Sequence, residues 1–231
     1  MASTDLDKQL QKMQRDWDDR ARENARYHVN TERQDWTDDD FFRSGERTVA
    51  EEVLTDMINI CQGKDPGQMR VLEIGCGAGR VTRAFAAYFG EVYAVDISRE
   101  MVRQAREAVA GFPNAHVIRN NGKDLSAVVP KWWFAKKLEF DFAFSVIVFQ
   151  HIPSREIIEN YVREVSRILR PGALFKFQVQ GAPVESDPEH SWVGEWFTER
   201  QAQEMADRCG FEMRHQYGAG DQYYWLWYFK K

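Results

Sequence analysis

Gly75, Gly77 and Gly79 alternate within the stretch VLEIGCGAGR, directly after an apolar run. A turn free of side chains lets a ligand come close to the backbone and tolerates positive φ angles. Glu73 stands just before the turn, and Asp96 ends the next apolar run, EVYAVD. An acid at that position can accept both hydroxyl protons of an adenosine ribose. The nearest familiar pattern, the dinucleotide fingerprint G-x-G-x-x-G, fails here because Arg80 occupies its third glycine. Further along, His151 in VFQHIPSRE is the natural candidate for a general base, since a histidine titrates near neutrality. Gln150 beside it is a candidate polar contact for an acceptor.

These residues need elements to position them, and the chain supplies an alternating series. MRVLEI, EVYAVDI, HVIRN, FDFAFSVIVF and ALFKFQVQ read as strands, and FDFAFSVIVF is apolar enough to be buried on both faces. Between them, GRVTRAFAAYF, SREMVRQAREAVAGF and REIIENYVREVSRIL carry helical spacing, with Ser98 a good N-cap and Pro171–Gly172 a stop. A last helix, TERQAQEMADRCG, precedes an aromatic segment that reads as an antiparallel hairpin turning near GAGD. This order predicts a doubly wound α/β sheet. Upstream, Leu6, Leu10, Met13, Trp17, Ala21 and Tyr27 recur at helical spacing, the acidic TDDDFFRSGE reads as turn-prone, and a second helix fits Val49 to Cys61. Two units follow from this: a helical cap over residues 1–48 and an α/β domain over residues 49–231.

Composition sets outer bounds. The 231 residues are 43% hydrophobic and 29% charged, ordinary globular usage, and the net charge of -5 argues against a polyanionic partner such as DNA, RNA or an acidic membrane. Three scattered cysteines form no metal or disulfide pattern, so a reducing cytoplasm is the expected location and no metal is expected. The start is too charged for a signal peptide, and no apolar run reaches membrane-spanning length.

Four segments in order carry a resemblance. VLEIGCGAGR, VYAVDIS, FDFAFSVIVFQHIP and ILRPGALF are similar to successive motifs of the class I S-adenosylmethionine-dependent methyltransferases, over roughly Val49 to Lys231. The last departs from the usual L-[RK]-P-G-G, with Ala173 at its second glycine. The resemblance implies a Rossmann-like sheet of seven mostly parallel strands, with an antiparallel C-terminal strand and helical lid. It implies S-adenosylmethionine as cofactor and S-adenosylhomocysteine as product. Carried across, Glu73 would position the ammonium end, the Gly75–Gly79 turn would lie beneath the cofactor, and Asp96 would hold the ribose. Ile97 and Met101 would face the adenine, with Asn121, Asp124 and Leu125 as candidates near its amino group. Val146 would face the sulfonium side. Tyr27, Arg43 and Arg47 are candidates for the cofactor carboxylate or the acceptor.

The expected activity is methyl transfer to a small, apolar or aromatic acceptor. Aromatic residues on variable segments, Trp192 and Trp196 foremost, would line its site. Trp225 and Trp227, alternating in a strand, are expected to pack. Alternatives are a protein methyltransferase or a catalytically inactive cofactor-binding partner subunit. A nicotinamide dehydrogenase is disfavoured by Arg80, and nucleic-acid methylation by the missing N-P-P-[YF] motif and basic domain.

Overall fold

The computed structural model describes residues 5–128, 138–183 and 194–231. Its strands are β1 (Arg70–Ile74), β2 (Glu91–Asp96), β3 (Ala115–Arg119), β4 (Phe140–Ser145), β5 (Leu169–Val179), β6 (Phe211–Tyr217) and β7 (Tyr224–Lys230). They form one seven-stranded sheet in the order β3-β2-β1-β4-β5-β7-β6. β1 to β5 pair in parallel, and β7 lies antiparallel between β5 and β6. Strand order reverses at β1, which pairs with both β2 and β4, so the crevice of the sheet falls at the end of β1.

Side-chain alternation sorts the strands onto two buried faces. Leu72, Ile74, Ala143, Phe175 and Phe177 pack with α6 (Arg155–Ile168) and α7 (Glu199–Cys209). Val71, Val92, Phe142, Phe144 and Leu174 pack with α3 (Met57–Cys61) and α4 (Arg80–Tyr88), while α5 (Arg99–Ala108) covers Ala94 and Val117. Every residue of β4 is buried, as its unbroken apolar pattern predicts. Trp225 stacks on Phe144 at 6.0 Å, and Lys176 lies over Trp225 and Trp227, so both tryptophans pack.

The N-terminal region departs from expectation. The acidic stretch read as a turn opens α2 (Asp38–Glu52). Thr37 Oγ1 accepts from the Asp40 N–H at 3.2 Å, and Asp38, Asp39 and Asp40 place negative charge at the positive end of the helix. The helix expected from Val49 to Cys61 is divided: α2 ends at Glu52, a 3-10 turn covers Leu54–Asp56, and α3 follows. α2 therefore runs across residue 48. It docks on α4 through Gly45, where an added Cβ would stand 2.0 Å from the Arg80 carbonyl oxygen. Backbone cannot yield as a side chain does. Gly45→Ala is expected to cost about 1–3 kcal/mol or more of stability, the range for overpacking, read as a lower denaturant midpoint with unchanged slope.

Candidate functional site

A cleft opens at the carboxyl ends of β1, β2 and β4. Its wall includes Glu73, Gly75, Gly77, Asp96, Ile97, Met101, Val146 and His151, all singled out from the sequence. The glycine turn uses its own backbone donors. The Gly75 and Cys76 N–H groups donate to the Val95 carbonyl, the Gly79 N–H to the Cys76 carbonyl, and the Gly77 N–H to Asp96 Oδ2. What the turn contributes is room. At Gly75, with φ +76, a Cβ would stand 2.2 Å from a Val148 methyl, so the glycine lets the loop after β4 close onto the turn.

Asp96 is held at both oxygens. Oδ2 accepts from Gly77 and Oδ1 from the Ser98 N–H, each at 2.9 Å. A carboxylate oxygen can accept twice, so each keeps capacity for a ligand hydroxyl. Burial pushes this carboxyl up to about 6 although its two backbone donors oppose the shift, and part of its residue surface still opens on the cleft. Glu73 is more deeply placed, 3% exposed, with Thr82 Oγ1 donating to Oε2 at 2.6 Å. Burial raises it to about 7, against the Thr82 bond and the nearby Arg80 charge.

The raised Glu73 value has a signed consequence. Its neutral form is favoured in the fold, so this contribution to stability is full below the ordinary value of 4.5 and is lost as pH rises through about 7. Glu73→Gln can keep the Thr82 bond without carrying charge. The variant is expected to match the wild type below about pH 4 and to exceed its ligand-free stability by about 3 kcal/mol above about pH 8. Thermal unfolding of both proteins across pH measures it.

Arg80, which breaks the dinucleotide pattern, is 5% exposed and ties the turn to α2. Its guanidinium donates to the Ser44 carbonyl at 2.9 Å and to Thr48 Oγ1 at 2.8 Å, and burial lowers its value to about 10. Gly79 caps α4 and stays off the cleft wall.

Several expected residues are placed elsewhere. Asn121 folds into a local turn, accepting from the Lys123 and Asp124 N–H groups and donating to Asp124 Oδ1, so Asn121 and Asp124 close on each other. Leu125 is fully buried in the main core. Asn120 takes their place on the cleft wall, donating to the Tyr161 hydroxyl at 2.7 Å. Gln150 is 4% exposed and lies behind the wall, bonded to Gln178 and His151. Trp196 is half-buried, its carbonyl accepting from Arg155, and Trp192 lies outside the described residues. Arg43 is exposed, and Arg47 pairs with Glu32 on the surface.

Tyr27 also misses the cleft, and the cause is local. α1 (Asp5–Val29) breaks its helical geometry at Asn24, φ -163 and ψ 83. Asn24 Oδ1 accepts from the Tyr27 N–H, capping a new helical turn, while its amide donates to the Gln34 carbonyl. The phase of the helix resets there, and His28 and Val29 reach the cleft instead of Tyr27. Met13 and Trp17 line it from earlier in α1. The Trp17 ring meets His151 edge-on at 5.6 Å. α1 is fastened beside Asp96: Asp18 Oδ1 accepts from Ser98 Oγ at 2.6 Å and from the Glu100 N–H at 3.1 Å.

Among the described residues no cluster of histidine, cysteine and acid side chains could hold a metal, and no helix is long and apolar enough to cross a membrane.

The geometry suits a ligand with a sugar diol for Asp96 and a positive group for Glu73, and similarity to known proteins points the same way. Residues 71–172 match the family described as a methyltransferase domain. A malonyl-[acyl-carrier protein] O-methyltransferase of Enterobacter lignolyticus is 28% identical over 123 residues, 53% of this chain and 43% of the relative. A tRNA/tmRNA (uracil-C(5))-methyltransferase of Campylobacter hominis is 31% identical over 87 residues, 38% of this chain and 23% of the relative. The chain thus spans less than half the length of either. In fold, it is similar to magnesium protoporphyrin IX methyltransferase of Synechocystis PCC 6803 with bound SAM, at a TM-score of 0.65, 16% identity and 100% coverage of both chains. Residues 71–172 are thus similar to a methyltransferase domain, and the fold is that of S-adenosylmethionine-dependent methyltransferases.

Proposed function

We propose that the chain transfers a methyl group from S-adenosylmethionine to a small organic acceptor of apolar or aromatic character. The observation that carries this reading is the pair of carboxylates, Asp96 and Glu73, raised by burial and facing one cleft. Perturbed acids in a cleft mark functional sites, and a cation with a ribose relieves both. When bound, the cofactor supplies a methyl group made electrophilic by a sulfonium.

The chain's own residues bind, orient and exclude water. Asp96 accepts the ribose hydroxyls, Glu73 faces the ammonium end, and Ile97 and Met101 supply apolar surface to the adenine. Val146, Ile147 and Val148 wall the reacting side, and Met13, Trp17 and Ile152 give it apolar character. Alignment of the reactants is the main demand, supplying up to ~7–11 kcal/mol of barrier reduction in favourable systems. His151, on the cleft wall beside them, is a polar side chain placed to contact the acceptor. The protein acts without a nucleic-acid or membrane partner, in the cytoplasm.

The tRNA enzyme among the relatives favours a macromolecular acceptor as the second reading, and the net charge of -5 weighs against it. The test supplies labelled methyl donor with a panel of phenols, thiols, amines and carboxylates, and with protein and RNA in parallel. Label in a small acceptor is the expected result. Label in protein or RNA alone, or donor bound with no transfer, overturns the proposal.

A further inference from the structure

From behind the cleft wall to His151 within it, three buried polar side chains form a chain of bonds whose direction is set at one end. The Ile147 N–H, which can only donate, bonds to Gln178 Oε1 at 3.0 Å. That fixes the Gln178 amide, so its nitrogen is the atom that donates to Gln150 Oε1. Gln150 is oriented in turn, and its nitrogen stands 3.3 Å from His151 Nε2. An amide nitrogen donates and never accepts, so His151 Nε2 must offer its lone pair. A neutral imidazole carries its proton on one nitrogen, and here that nitrogen is Nδ1.

The anchor of this relay is an unusual one. Ile147 has φ +57, a left-handed conformation that a β-branched residue rarely adopts. Gln178 holds it there, from a position on β5 one residue beyond the pairing of Phe177 with Ser145 at the end of β4. Gln178, Gln150 and His151 are 1%, 4% and 7% exposed, so water does not compete freely for these bonds.

We propose that Gln178 is a positioning residue that fixes His151 as the neutral ring protonated on Nδ1, and that His151 therefore does not take the acceptor's proton. While the relay holds, Nε2 spends its lone pair on Gln150 and Nδ1 carries a hydrogen, so neither nitrogen can serve as a base. An acceptor methylated here then brings a nucleophile from which this ring need take no proton, such as a carboxylate, a thiolate or a neutral amine. The functional consequence rests on the methyltransferase reading of this cleft; the tautomer does not.

Nitrogen-15 NMR of the full chain, labelled at histidine and free of ligand, reads the tautomer directly. The wild type is expected to show His151 protonated at Nδ1 with a bare Nε2. Gln178→Glu keeps an acceptor for Ile147 but loses its donor, so Gln150 must turn its amide and present oxygen to His151. The proton is then expected to move to Nε2. Gln150→Glu, a second and independent variant, is expected to cause the same move, because a carboxylate faces the ring. A wild-type ring protonated at Nε2 or averaging between tautomers overturns the proposal, whether or not the variants fold. Folded variants that keep the wild-type pattern overturn the role of Gln178. S-adenosylmethionine titration of the same samples separates the two readings, since failure to bind sinks the proposed function and leaves the tautomer result standing.

Discussion

Asp96→Ala is expected to weaken S-adenosylmethionine binding by ~1.5–3 kcal/mol, roughly 10- to 150-fold, the span for hydrogen bonds to a charged group. The loss has two origins. Each Asp96 oxygen accepts one backbone N–H and keeps capacity for a ribose hydroxyl, so alanine removes the ligand's acceptors. It also leaves the Gly77 and Ser98 N–H groups without their partner, which loosens the turn at the start of α5. Asp96→Asn separates the two: it retains one acceptor for the turn and no charge, and should fall between alanine and wild type. Calorimetric titration of the three proteins checks the order. Equal affinity in a folded alanine variant would remove Asp96 from the site.

Gly75→Ala is expected to damage stability and site together. The left-handed backbone at φ +76 costs a non-glycine residue about 1–2 kcal/mol. The new methyl would also stand 2.2 Å from Val148, and overpacking of this kind adds about 1–3 kcal/mol. Val148 lines the cleft beside Ile147, so relief of the clash moves the wall next to His151. A lower melting temperature with at least tenfold weaker cofactor binding is the expected outcome. A variant with wild-type stability and affinity would show that the loop after β4 does not press on the turn.

How much of this was legible in the sequence depends on the range of the interaction. The strands carry their own two-residue alternation, and the glycine turn and Asp96 follow strand ends, so sheet and switch point could be read locally. Ser98 announced its helix and caps it, and Thr198 caps α7. The start of α2 was missed because three aspartates resemble a loop until Thr37 is recognised as their cap. That signal was present: a threonine followed by acids at the helix start. The Asn24 break left no mark in the apolar spacing of α1, and beyond it His28, not Tyr27, lines the cleft. Asn120 and Asn121 are adjacent and alike in type. Only the Tyr161 hydroxyl, supplied 41 positions later, decides which faces inward. Gln178 reads as an ordinary strand residue, and its bonds to Ile147 and Gln150 exist only once β5 lies beside β4.

The most direct measurement of the central claim is proton exchange on binding. Glu73 and Asp96 sit near 7 and 6 in the ligand-free cleft, and a cation with a ribose favours their charged forms. Titrating S-adenosylmethionine at about pH 6.5 in buffers of different ionisation enthalpy should reveal net proton release, reduced in Glu73→Gln. Absence of binding, or binding with no proton released, would contradict the assignment of these two acids to the cofactor.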